Sequence, residues 1–185
     1  ISTGAGGGTV IAGDGADTLT VGGGTDTVKW TATTAALMAT EAGSTAGTDV
    51  DFAAGTIGDK VSTFTSATDK FHFAAALLTN AIGTEADTLV TVAAAGTVTD
   101  AVRFLEITTA FDGSTGDAIT DLNALTTTAV AIGDSFLAFM NDATDGYLFL
   151  VEQVSTSNTI AAQDVTLVGQ VTGVTNVADG DFVSF

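Results

Sequence analysis

Three copies of a nine-residue unit run in register through the start of the chain: TGAGGGTVI (Thr3–Ile11), AGDGADTLT (Ala12–Thr20) and VGGGTDTVK (Val21–Lys29). Each is a glycine-rich half followed by Thr, an apolar residue and one more residue. Glycine allows the backbone to turn where other residues clash. Thr-apolar-x is a minimal strand with one inward side chain, so Val10, Leu19 and Val28 are the expected core residues of the three units. The alternative is a glycine-rich linker. A linker needs no register, whereas here the apolar residues recur nine apart, which favours stacked turns. Asp14, Asp17 and Asp26 fall on those turns, where several oxygens can converge on a hard cation.

Charge narrows the partners. The 185 residues carry 22 acidic side chains against four basic ones (Lys29, Lys60, Lys70 and Arg103), a net charge of -18. Such a chain repels nucleic acid and anionic lipid, so neither is an expected partner. It suits a protein that holds divalent cations or must stay soluble outside a cell. The absence of Cys excludes disulfides and thiolate metal sites, leaving bound calcium as a possible staple. No apolar run is long enough for a membrane-spanning helix, so no membrane insertion is expected. No basic segment followed by an apolar stretch opens the chain, and it starts Ile1-Ser2 without Met, which suggests a piece processed or excised from the C-terminal part of something longer.

Beyond Trp30, read as a packing cap, the pattern changes. Residues 31–48 are expected to be a linker or short helix, with TTAALMATEA (Thr33–Ala42) closed by Gly43. Residues 49–185 are expected to be a β-rich domain, with strands at Asp49–Phe73, Thr88–Ala93 and Val102–Thr108. Ile119, Leu122 and Leu125 are spaced for an amphipathic helix over Asp117–Leu125. SFLAFM (Ser135–Met140) and YLFLV (Tyr147–Val151) flank the turn signal NDATDG, which predicts a hairpin. Both strands are apolar on both faces, as in a strand covered above and below. A helix-like IAAQDV (Ile160–Val165), strand material over Val165–Val174 and the ending ADGDFVSF complete the chain.

The nonapeptide G-G-x-G-x-D-x-U-x binds calcium in a parallel β-roll. The second unit has every core element except Ala12 for the first Gly; the third has Val21 there and Gly23 where Asp14 stands. The first unit has Gly8 in place of the key Asp. The block therefore resembles the repeats-in-toxin (RTX) family of type I-secreted bacterial proteins. The resemblance implies an all-β fold: a parallel calcium β-roll over residues 1–30, followed by a mostly β C-terminal domain with one or two short helices. It implies Ca2+ ligation by Asp14 and Asp17, with Asp26 on the opposite edge and backbone donors at Gly13, Gly15, Gly22 and Gly24. Gly8 leaves the ion between the first and third turns one carboxylate short. IGDKVSTFTSATDKFHF (Ile57–Phe73) looks like the stretch that closes such rolls, making Asp59 and Asp69 candidate cap-site ligands; solvated turn aspartates are an equal reading. The tail resembles an uncleaved export signal, which implies an extracellular location at the bacterial cell surface.

A catalytic constellation is missing. His72 is the sole histidine, which excludes a two-histidine zinc site, and FHF alternation makes it a solvent-facing strand residue rather than a base. No G-x-S-x-G elbow and no P-loop occur. The carboxylate pairs Asp49/Asp51, Asp142/Asp145 and Asp179/Asp181 sit on turns, where solvation or calcium is a better reading than glycoside hydrolysis. The expectation is therefore a non-enzymatic, calcium-triggered structural protein that self-associates into a surface layer, lattice or filament, with a cell-surface glycan as a possible further partner. Open alternatives are the secretion end of an adhesin, including an ice-binding one, for which Thr9, Thr18 and Thr27 form a short ladder, and the C-terminal module of a secreted hydrolase.

Overall fold

The computed structural model describes residues 1–44, 58–78, 86–93, 97–98, 102–111, 120–122, 124, 126–127, 133–153 and 160–185. The repeat units give strands β1 (Thr9–Ile11), β2 (Thr18–Thr20) and β3 (Thr27–Lys29). Helix α1 (Ala35–Glu41) follows, then β4 (Asp59–Ser62), β5 (Lys70–Phe73), β6 (Ala86–Val92), β7 (Thr97–Val98), β8 (Val102–Ile107) and β9 (Thr126–Thr127). The hairpin β10 (Ser135–Asn141) and β11 (Gly146–Glu152), then β12 (Val165–Val171) and β13 (Phe182–Ser184), complete the order.

Successive repeats go to different sheets. β1 and β3 pair directly, and β5 and β13 extend them into a four-stranded, wholly parallel sheet in the order β1-β3-β5-β13. β2 instead borders a seven-stranded sheet, β2-β4-β12-β11-β10-β8-β6. Here β2, β4 and β12 run parallel, β12, β11 and β10 antiparallel, and β10, β8 and β6 parallel. β7 and β9 form a separate two-stranded pair.

The one inward residue of each short strand lines up with its neighbours. Val10, Val28, Phe71 and Phe182 form one row across the smaller sheet, and Leu19, Val61 and Val171 form another on the larger. These rows share one buried cluster with Trp30, Phe73, Phe104, Phe139 and Leu148. The second face of the larger sheet is also covered: Phe136, Ala138, Met140, Phe149 and Val151 pack with Phe111, Leu122 and Ile160. Every residue of β10 is buried, as expected of a strand apolar on both faces.

α1 begins where the sequence places a helix. Thr34 is its N-cap and accepts a 3.3 Å bond from the Leu37 N–H. Met38 and Ala39 are buried, and Gly43 follows the helix at φ +63, a left-handed value that glycine takes without strain. Thr34→Ala should lower stability by about 1 kcal/mol, read as a reduced urea midpoint with unchanged slope.

The all-β expectation is corrected. The fold is mixed α/β, two sheets of four and seven strands with helical segments, and it is not a parallel β-roll solenoid. The reason is physical: three units contribute one inward side chain per strand, too little apolar surface to close a core by themselves. The repeat strands are instead built into larger sheets whose other members come from residues 59–184, and the hairpin makes one sheet partly antiparallel. Over Asp117–Leu125, residues 120–122 and 124 are helical and the remainder lies outside the described residues. Asp49 and Asp51, and most of the 31–48/49–185 boundary, also lie outside them. Among the described residues no helix is long and apolar enough to cross a membrane.

Candidate metal centre

The turns of the first and third units lie in contact. The Gly7 N–H donates to the Gly23 carbonyl at 2.9 Å and the Thr27 N–H to the Gly8 carbonyl at 2.8 Å. A Cβ on Gly22 would stand 2.2 Å from the Gly4 oxygen, and one on Gly24 would stand 2.8 Å from the Gly7 nitrogen. Both predicted backbone donors are thus positions where only glycine lets two turns approach this closely.

An aspartate stands at or just before the start of strands in both sheets, and the next turn usually satisfies it. Asp59 Oδ1 accepts the Asp17 N–H at 2.9 Å, and its Oδ2 accepts Trp30 Nε1–H at 2.6 Å. Asp69 Oδ1 accepts the Asp26 N–H at 2.9 Å, and its Oδ2 accepts the Thr65 N–H at 2.8 Å. Asp181 accepts from the Ser66 hydroxyl and from the Ala67 and Ala178 N–H groups, with Lys70 Nζ 3.7 Å away. All three carboxylates are buried. They fasten one layer to another, with one donor on each carboxylate oxygen of Asp59 and Asp69.

Asp26 differs. It is fully buried, yet neither carboxylate oxygen has a hydrogen-bond partner. A Cβ built on Gly8 would sit 4.0 Å from its Oδ1, so the carboxylate faces the glycine turn of the first unit. Comparison with protein-family models, curated proteins and solved structures finds no match.

The other predicted ligands divide. Asp17 is half-buried, and its Oδ2 is 3.8 Å from a Cβ built on Gly13, so these two are brought together. Asp14 is exposed on the same turn. Gly13 and Gly15 both have positive φ (87 and 96), and the Gly15 N–H donates to the Thr40 carbonyl at 3.0 Å. Among the described residues no three His, Asp or Glu side chains converge as a metal cage. An ion at Asp26 would need backbone oxygens for the rest of its shell.

Burial pushes the Asp59 carboxyl up to about 7; the bonds from Asp17 and Trp30 pull the other way, and the Asp17 and Glu41 charges reinforce the rise. Glu41 was not foreseen as a site residue. Its buried carboxylate accepts from the Thr31 N–H at 2.9 Å and the Ala32 N–H at 2.7 Å, tying α1 to the segment after Trp30. Of the remaining acidic residues, Asp142 caps its own turn, and Asp145 and Asp179 reach to other elements. Asp142 accepts from the Thr144 and Asp145 N–H groups and the Tyr147 hydroxyl. Asp145 accepts from Gln170 and Gly173, and Asp179 from the Leu89 N–H.

Proposed function

We propose that this chain is an extracellular, calcium-binding structural protein that completes its fold on calcium after export and assembles into a surface layer or similar lattice. The observation that carries the reading is Asp26. A buried ionised carboxylate with no donor is strongly unfavourable, by several kcal/mol, unless a counter-charge is present. The same column of the fold supplies donors to Asp69 and Asp181 but none to Asp26. A hard divalent cation, held by Asp26 and oxygens of the glycine turns over residues 4–8 and 22–26, resolves the imbalance. Calcium suits such a site because it accepts carbonyls and carboxylates in flexible geometry, whereas magnesium demands a near-ideal octahedron.

Bound calcium would add positive charge where the chain has almost none and link the first repeat to the third. Before binding, the acidic segment repels itself, so the cation couples neutralisation to folding. The lack of a histidine pair or nucleophile constellation favours a structural role, and a chain of net charge -18 can pack against copies of itself when cations lower that repulsion.

The test is a sign. Thermal melts with calcium and with chelator are compared for the native chain and for Asp26→Asn. Calcium at about a hundred times its Kd should stabilise the native chain by roughly 2.7 kcal/mol, and Asp26→Asn should abolish that gain. If Asp26 holds no ion, Asp26→Asn removes an unpaired buried charge and leaves the chain as stable or more stable in both conditions. That outcome would overturn the proposal.

A further inference from the structure

The outer face of the four-stranded sheet departs from the rest of the molecule. Strand alternation and register put Thr9, Thr27 and Lys70 in one outward row and Ile11, Lys29 and His72 in the next. The aspartates that precede these strands, Asp26, Asp69 and Asp181, are buried; Asp181 lies opposite Lys70 and 3.7 Å from its Nζ, so Lys29 carries the unopposed charge of the second row. In a chain with 22 acidic and four basic residues, two of the four basic residues and the sole histidine share this patch.

The patch is also apolar where it is exposed. Ile11 is 52% exposed and Phe185 is 51% exposed. Phe185 belongs to this face, because Lys29 Nζ lies 3.5 Å from its ring centroid and the His72 ring stacks on it at 6.4 Å. A lysine held between two exposed apolar side chains resembles the centre of a binding surface, where an apolar anchor excludes water from a charge.

We propose that this face docks the acidic surface of a second copy of the chain. Charge complementarity argues for that occupant: the chain has a net charge of -18, and exposed or half-buried carboxylates stand on the turn before β2 (Asp14, Asp17) and on the β10–β11 turn (Asp142, Asp145), so each copy carries its own counterpart. The contact joins unlike surfaces, so it is heterologous and propagates into a filament, ring or sheet rather than closing as a two-fold dimer. It rests on the assembly part of the reading above and not on the calcium site.

Sedimentation velocity at saturating calcium, in low and high salt, tests it. The native chain should associate in low salt and dissociate as salt screens the contact. Lys29→Glu should weaken association about tenfold or more, and Ile11→Ser should weaken it without changing net charge. Lys60→Glu, an identical charge change on β4, should associate as the native chain does. Equal association of Lys29→Glu and Lys60→Glu overturns the proposal. So does a folded native chain that stays monomeric in low salt, including one that instead binds an anionic polysaccharide through this face. Circular dichroism of the same samples with calcium and with chelator reads the metal proposal separately.

Discussion

Trp30→Ala is expected to be among the most damaging single substitutions in the chain. Trp30 is fully buried, stacks on Phe73 at 4.9 Å and 3°, and lies tilted against Phe71 at 6.1 Å. Truncating a buried Trp to Ala removes about 3–5 kcal/mol. Its indole N–H also donates to Asp59 at 2.6 Å, so the change leaves a buried carboxylate oxygen without its donor, at roughly 1–3 kcal/mol more. The sum is comparable with the whole stability of a typical domain, and urea unfolding followed by far-ultraviolet circular dichroism should find the variant largely unfolded. Trp30→Phe separates the two contributions. It keeps a ring against Phe73 but not the donor, so it should fold, less stably, with the Asp59 carboxyl pushed further up. A Trp30→Ala variant of native stability would show that the aromatic stack is peripheral.

Asp59 carries the second large effect, a dependence on pH opposite to that of an ordinary ion-paired carboxylate. Its folded value of about 7 exceeds its unfolded value of 3.8, so the folded state holds a proton that the unfolded state releases. The associated stability is complete below 3.8 and is lost as pH rises through 7. Over that window it amounts to roughly 4 kcal/mol. His72 works in the other direction: burial first, then Lys29 and Lys70, lower its value, so the stability it affects falls as pH drops below 6.5. The Asp59 slope is therefore read above 6.5, where the last part of the loss, about 1 kcal/mol, should be complete in chelator by about pH 8. Asp59→Asn should flatten that decline, since the amide still accepts the Asp17 N–H but cannot ionise. An unchanged slope in Asp59→Asn would assign the effect elsewhere.

Much of the local structure was legible because it is carried by short-range patterns. Val10, Leu19 and Val28 are buried as their nine-residue spacing requires. α1, at Ala35–Glu41 within the expected Thr33–Ala42, and the hairpin around Asn141–Gly146 form because cap and turn residues flank the right apolar patterns. What could not be read is which strands meet. Nothing local in DKVS or FVS says that β4 lies between β2 and β12, or that β13 pairs with β5. Three- and four-residue strands have weak individual register, and tertiary packing of Phe71 on Phe182 and Phe64 decides it. That is why a β-roll expectation built from the repeats gave way to a mixed α/β fold with one wholly parallel sheet and one mixed sheet.

The site divides in the same way. Asp26-Thr27-Val28 and Asp69-Lys70-Phe71 carry the same Asp-x-apolar signal, so the sequence marks both aspartates. Their surroundings differ completely. Asp69 meets the Asp26 N–H from the layer above, whereas Asp26 meets the Gly8 turn and finds no donor. Whether a carboxylate fastens two layers or is left without a donor depends on what is stacked over it, and that is a property of the assembled fold.

The placement of β5 between β3 and β13 has a consequence for how the chain reaches this state. One edge of β5 is met by a strand starting at residue 27 and the other by a strand starting at residue 182, and Ser66 bonds to Asp181 across 115 residues of sequence. Closing such loops costs entropy before any contact compensates it, and folds dominated by distant pairings are slow to form. A nascent chain holding only the repeats can pair β1 with β3, but β2 has no strand beside it until β4 follows and β3 has no second neighbour until β5 follows. Both sheets are completed only by β12 and β13, so the paired arrangement forms late relative to the order of the sequence.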